Sequence, residues 1–191
     1  MSILPIVTYN DPVLRKKTTP VEENSDELQT LIDDMFETMY NSQGVGLAAP
    51  QIGKLHRVFV MDADGVTEEI QDEPNLGPMA FINPKIVEFT GEKVKMEEGC
   101  LSIPEVRDDV KRPANVRISY LDRNFEEQEK TFEGWISRVV QHEFDHLEGV
   151  LFLDHLSRFK RRFHKSLLTK IDEGTLETDY PLVPKNVDKQ V

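Results

Sequence analysis

Gln141-His142-Glu143-Phe144-Asp145-His146 sets two histidines four residues apart, with a glutamate directly after the first. On a helix, positions four apart share a face, so His142 and His146 can clamp one metal ion with Glu143 beside it. Two imidazole ligands and a carboxylate able to take a proton from water suit metal-assisted hydrolysis. The competing reading is a helix that carries two structural histidines. Nothing in these six residues names a substrate, and they supply only two protein ligands, where a catalytic site of this kind generally has three.

The helix that carries them is expected from about 134 to 148. Trp135, Val139, His142 and His146 share one side, and Ile136, Val140 and Leu147 line a neighbouring stripe, so both faces are expected to be buried. Gly149 is a typical residue just past a helix end. Upstream, Asn24-Ser25-Asp26-Glu27 reads as a capped helix start. Leu28, Leu31, Ile32, Met35, Phe36 and Met39 then recur at helical spacing as far as Gly44. The segment from Gly44 to Gly53 is too rich in glycine and small residues for an element interior. His56 to Met61 reads as a strand and 62–78 as an exposed acidic loop. Strand-like stretches follow at about 79–89, 92–97, 105–111, 115–121 and 127–132. Turn signals such as Asn83-Pro84, Thr90-Gly91 and Asp122-Arg123-Asn124 divide them, which gives a small antiparallel or mixed sheet system. A third helix is expected over about 156–171, with Leu156, Phe159, Phe163 and Leu167 inward and basic residues outward. From Asp172 onward, with Pro181 and Pro184, a mobile or loosely docked tail is expected.

Length and composition fit one domain over 1–171 followed by that tail: 191 residues, 38% hydrophobic and 30% charged. No apolar run approaches the roughly 20 residues needed to cross a bilayer. The start, Met1-Ser2-Ile3-Leu4-Pro5, lacks the pattern of an export signal. The single cysteine, Cys100, cannot form an intrachain disulfide, and a reducing cytoplasm is its simplest home. A net charge of −12 argues against general affinity for nucleic acid. Against that background, Arg158, Lys160, Arg161, Arg162, Lys165 and Lys170 run without an intervening acid and form a local basic face.

A third ligand six residues after the second histidine is excluded, because Phe152 stands there. Cys100, Glu97, Glu98, Asp154, His155 and His164 remain open. Cys100 is attractive because a thiolate binds borderline and soft metals well, yet an ordinary buried cysteine is an equal reading. Gly44-x-Gly46-x-x-Ala49 mimics a dinucleotide fingerprint but leaves a helix and runs into Pro50, so nucleotide binding is rejected. Its glycines are better explained by close approach of backbone to a ligand or metal.

Three blocks now stand in order: Gly44-Val45-Gly46-Leu47-Ala48-Ala49-Pro50-Gln51, Glu98-Gly99-Cys100-Leu101-Ser102, and Gln141 to His146. Together they resemble the peptide deformylase family, as do Asp11-Pro12-Val13-Leu14-Arg15 and Ile82-Asn83-Pro84, over roughly residues 5–170. The resemblance implies an α+β fold, with the metal helix packed among small sheets between an N-terminal and a C-terminal helix. It implies Cys100, His142 and His146 as metal ligands, Glu143 as acid and base, and Gln51 with the Leu101 N–H as oxyanion donors. It further implies removal of the formyl group from N-formylmethionyl nascent peptides, with release of formate. Iron(II) is the family's usual metal; zinc, nickel or cobalt can occupy the site. Val45, Trp135, Arg138 and Val139 fall at pocket positions for the methionine side chain, although Trp135 and Val139 could equally be core. Glu98 and Arg107 would close the pocket, and extended substrate would pair with the Gly44–Gly46 segment, at Gly46 and its neighbours. The resemblance also suggests a bacterial cytoplasmic monomer whose basic helix docks on the ribosome.

Overall fold

In the computed structural model, which describes residues 2–67 and 74–185, the chain opens on a two-residue strand β1 (Ile6–Val7). Helix α1 (Asp26–Asn41) starts where Ser25 accepts the Leu28 N–H at 3.2 Å, satisfying one of the amides that a helix start leaves free. Five strands then build one antiparallel sheet in the order β2 (Gly46–Ala48), β3 (Val58–Met61), β4 (Met79–Cys100), β5 (Ile103–Leu121) and β6 (Glu127–Phe132). A short helical turn, α2 (Asp64–Thr67), follows β3; of the acidic 62–78 stretch, residues 68–73 lie outside the described residues. Helix α3 (Gly134–Leu147) carries the histidines, and α4 (Arg158–Phe163) and α5 (Lys165–Asp172) follow it.

The two long helices pack on opposite faces of the sheet. Phe59 and Met61 join Phe81, Ile118 and Phe132 under Ile136, Val140 and Leu147 of α3. Val58 and Val60, one residue out of step, join Ile82 under Leu28, Ile32, Met35 and Met39 of α1. Successive strand residues point to opposite faces, so a sheet covered on both sides needs the unbroken apolar run Val58-Phe59-Val60. The face of α3 that meets the sheet is thereby fixed, and with it the direction of His142 and His146.

Three expectations change. The separate strands at 79–89 and 92–97 are one 22-residue strand, and those at 105–111 and 115–121 are one 19-residue strand. Asn83-Pro84 and Thr90-Gly91 do not turn the chain; they are absorbed as register shifts in the β4–β5 ladder. Asn83, at φ 51, is held there by its side-chain amide, which accepts from the Val21 N–H and donates to the Val21 carbonyl. A bulge needs the same left-handed residues as a turn, so the local signal is identical.

The third helix is broken at His164, and Phe159 and Phe163 point outward, 69% and 71% exposed, edge to face on one another. Lys160 and His164 both bind Asp108 of β5, which turns their side of α4 inward; Leu156 is buried as expected. Residues 172–185, expected as a mobile or loosely docked tail, dock on the domain. Strand β7 (Leu182–Val183) pairs in parallel with β1, while 186–191 lie outside the described residues.

The outward aromatics give a direct test. Replacing Phe159 and Phe163 together by Ser should change unfolding free energy by only about 0.5 kcal/mol per site. Burial in the core would instead make each truncation cost about 3 kcal/mol or more. Urea denaturation monitored by circular dichroism separates the two.

Candidate metal centre

Cys100 closes β4, and α3 crosses beneath it. One ligand atom each from Cys100, His142 and His146 lies within 4.8 Å of the others, the sole such cluster among the described residues. The Cys100 Sγ is 3.3 Å from His146 Nε2. The other third-ligand candidates are engaged elsewhere. Asp154 pairs with Arg15 at 2.5 Å, His155 with Asp145 at 2.8 Å and His164 with Asp108 at 2.9 Å, while Glu97 lies 3.7 Å from Arg107 on the exposed rim.

Behind the cluster, the Glu98 carboxylate accepts from Arg112 Nε at 2.7 Å and Nη2 at 3.0 Å, from Arg138 Nη1 at 2.8 Å and from His142 Nδ1 at 3.0 Å. Burial alone would raise its pKa, but the bonds from His142 and Arg112 hold it well below the usual carboxylate range. With Nδ1 on Glu98, His142 keeps Nε2 for a metal. Burial opposes a charge on His142, yet contacts with Cys100 and Glu98 carry its pKa well above normal. His146 is held well below normal by burial, by His142 and by Arg112, so its lone pair is available. A thiol and two imidazoles whose ligand atoms converge on one point fit a divalent metal ion.

Glu143, 4% exposed, sits beside the cluster with Oε2 lacking any hydrogen-bond partner among the described residues. Burial pushes its carboxyl up to about 7 against the pull of His142, which the charge of Glu98 partly offsets. Gly46 makes room for it: a Cβ there would stand 2.5 Å from Glu143 Oε1. Gln51 Oε1 accepts the Ala48 N–H at 2.8 Å, which aims Nε2 at Cys100 Sγ and Ser102 Oγ, each 3.5 Å away. Its amide orientation is therefore set by the backbone.

Gln51, Cys100, His142 and Glu143 form the floor of an open cleft of about 1310 Å³, lined among others by Val45, Gly46, Leu101, Arg107, Trp135 and Val139. Every expected pocket position borders this cleft, but two do different work. Glu98 is fully engaged beneath the floor. Arg138 gives its guanidinium to Glu98 and to the carbonyls of Val110 and Val94, leaving only its flank to the cleft. Sequence reasoning missed Arg112 and Asp145, which join at 2.6 Å and tie β5 to α3. A basic residue in an alternating strand carries no local sign of such a partner. It missed Tyr180 as well, whose hydroxyl bonds the Leu101 carbonyl at 2.8 Å.

An α+β domain with a thiol–imidazole–imidazole cluster under a cleft, and a buried carboxylate beside it, has the layout of a metal-dependent hydrolase. Residues 3–162 match the family model for polypeptide deformylase. The peptide deformylase of Salinibacter ruber is 53% identical over 187 residues, covering 96% of each chain. That of Christiangramia forsetii is 46% identical over 193 residues, covering 98% of each. The crystal structure of peptide deformylase from Ehrlichia chaffeensis superposes with a TM-score of 0.82 at 42% identity, covering 92% of this chain and 100% of that one. This chain belongs to the peptide deformylase family. It is a metal-dependent hydrolase that removes the formyl group from the N-terminal formylmethionine of newly synthesised polypeptides, releasing formate.

The carboxylate beneath the floor yields a measurable consequence. Glu98→Gln leaves Arg112 and Arg138 buried against a neutral amide, which should cost about 3 kcal/mol of stability. It also loosens His142, so metal affinity should fall about 10–100-fold in a chelator competition. Wild-type affinity in the variant would contradict the support given to Glu98.

Proposed function

We propose that Cys100, His142 and His146 hold the metal, that Glu143 moves the proton, and that Gln51 and the Leu101 N–H stabilise the oxyanion. Iron(II) is the ion we assign in the cell, with zinc, nickel or cobalt able to replace it, because an N/N/S donor set accepts several divalent ions. When bound, the metal supplies Lewis-acid polarisation and makes water a nucleophile near neutral pH.

Glu143 takes the proton from the attacking water and later delivers it to the departing amine. Its unpartnered Oε2 beside the three donors is the observation that carries this reading. As the formyl oxygen gains charge, Gln51 Nε2 and the Leu101 N–H meet it without rearrangement, because Ala48 already orients the amide. Val45, Trp135 and Val139 offer an apolar slot for the methionine side chain, with the flank of Arg138 beside them and Arg107 at the rim. Strand β2 is at the sheet edge, so an extended substrate can lie along the Gly44–Gly46 segment, where the Gly44 N–H and the Val45 carbonyl are already taken by Met39 and Asp62.

The basic face is read as a ribosome contact made by Arg158, Arg162, Lys165 and Lys170, which are exposed, whereas Lys160 is occupied by Asp108. The chain is assigned to the bacterial cytoplasm as a monomer. No helix among the described residues is long and apolar enough to cross a membrane.

Glu143→Ala should retain one metal per chain by elemental analysis while formate release from formyl-Met-Ala-Ser falls by at least about 10²-fold. Undiminished turnover would refute the assignment. The pH profile is a separate check. Glu143 must be ionised to accept a proton, so kcat/KM should fall as pH drops through its pKa. That value is about 7 in the protein alone, and a bound cation shifts it downward, placing the acidic limb at or below about 7.

A further inference from the structure

The peptide that follows Leu101 is gripped by the far end of the chain. Tyr180 donates its hydroxyl to the Leu101 carbonyl at 2.8 Å, and the Tyr9 N–H donates to the next carbonyl, that of Ser102, at 2.9 Å. Both grips issue from the small β1–β7 sheet, closed by Ile6 N–H to the Pro181 carbonyl at 2.9 Å and Thr8 N–H to the Val183 carbonyl at 3.3 Å. Leu101 and Ser102 are the two turn residues between β4 and β5, where Cys100 pairs with Ile103. The carbonyl carbon, the side chain and the nitrogen of Leu101 share one tetrahedral Cα, so a residue held at its carbonyl and at its side chain has its nitrogen placed as well.

The side chain of Leu101 is held as well. Its Cδ1 lies 2.8 Å from where a Cβ on Gly44 would stand, and its side chain packs with Tyr180 on the α1 core. Burial pushes the Tyr180 hydroxyl well above its ordinary pKa, so it remains a donor. Residues Glu177 to Tyr180 border the same cleft as the metal cluster, yet Tyr180 is neither a ligand nor in reach of Glu143 by any hydrogen bond described.

We propose that Tyr180 is a positioning residue for deformylation: by holding the Leu101–Ser102 peptide, it aims the Leu101 N–H at the forming oxyanion. The inference rests on the reading of Leu101 as an oxyanion donor. It gives the C-terminal segment a part in turnover that a merely covering wall would not have. The bond acts on the transition state, so its loss should appear in kcat rather than KM.

Tyr180→Phe keeps the ring and removes only the hydroxyl. In the metal-loaded, full-length enzyme acting on formyl-Met-Ala-Ser, kcat should fall about tenfold with KM within about twofold. Metal content should stay at one per chain, and amide hydrogen exchange at Leu101 and Ser102 should quicken. Unchanged kcat, or a rise in KM alone, would overturn the proposal. Gln51→Ala measured in parallel separates the two layers. If it lowers kcat while Tyr180→Phe does not, the oxyanion reading stands and the role of Tyr180 falls. If neither variant lowers kcat, both fall.

Discussion

A single buried carboxylate, that of Glu98, ties together the three elements that make the site. Arg112 reaches it from β5, Arg138 and His142 reach it from α3, and Glu98 itself belongs to β4. An isolated charge in that position would be expelled, because burial removes its hydration; here four donated hydrogen bonds replace the lost water. The compensation is geometric as well as energetic. Cys100 lies two residues beyond Glu98 on the same strand, and His142 is bonded to Glu98 directly. The thiol and the first imidazole are therefore set relative to one another through one anchor. Asp145 adds a second tie, since it takes the remaining arm of Arg112 while lying one residue before His146. The donor cluster is held by β4, β5 and α3 before any ion enters.

The opposite wall works by subtraction. Glu143 can stand beside the cluster only because Gly46 has no side chain, and Gly44 leaves the same kind of room for Leu101. The glycines that imitate a nucleotide fingerprint are thus places where atoms are left out so that a carboxylate and a turn can approach backbone. Neither glycine has a positive φ; space, not backbone conformation, is what each supplies. Gln51 shows the complementary device. A neighbouring N–H takes its amide oxygen, and its nitrogen then has one direction in which to point.

What could be read from the sequence divides along the range of the interactions. Helices α1 and α3 were legible because each shows an apolar stripe at helical spacing and must bury it. His142, Glu143 and His146 were legible because the spacing that makes a ligand pair is local. Cys100 stood as one of several third-ligand candidates until a second block resembled a known family, since nothing near it in sequence points to histidines more than 40 residues away. The long β4–β5 hairpin was misread because Asn83 and Gly91 suit a bulge as well as a turn, and only the partner strand decides between them. A hydrophobic stripe normally faces a core, which points Phe159 and Phe163 inward on sequence grounds alone. The stripe says nothing of Asp108, whose bonds to Lys160 and to His164, just past α4, draw the other side of the helix inward. Arg112 and Tyr180 were invisible for the same reason: their partners are fixed by register and topology.

The parallel pairing of β1 with β7 also bears on how the molecule comes to be. Two short strands far apart in sequence must meet, and such a contact adds little energy while closing a very long loop. It is expected to form late, after the sheet and its two helices have condensed around it. In chain order the residues of the metal floor precede Glu177 to Tyr180, so during synthesis the floor emerges before that wall of the cleft. An enzyme that unmasks the first residue of other nascent chains thus gains the wall of its own cleft after the floor.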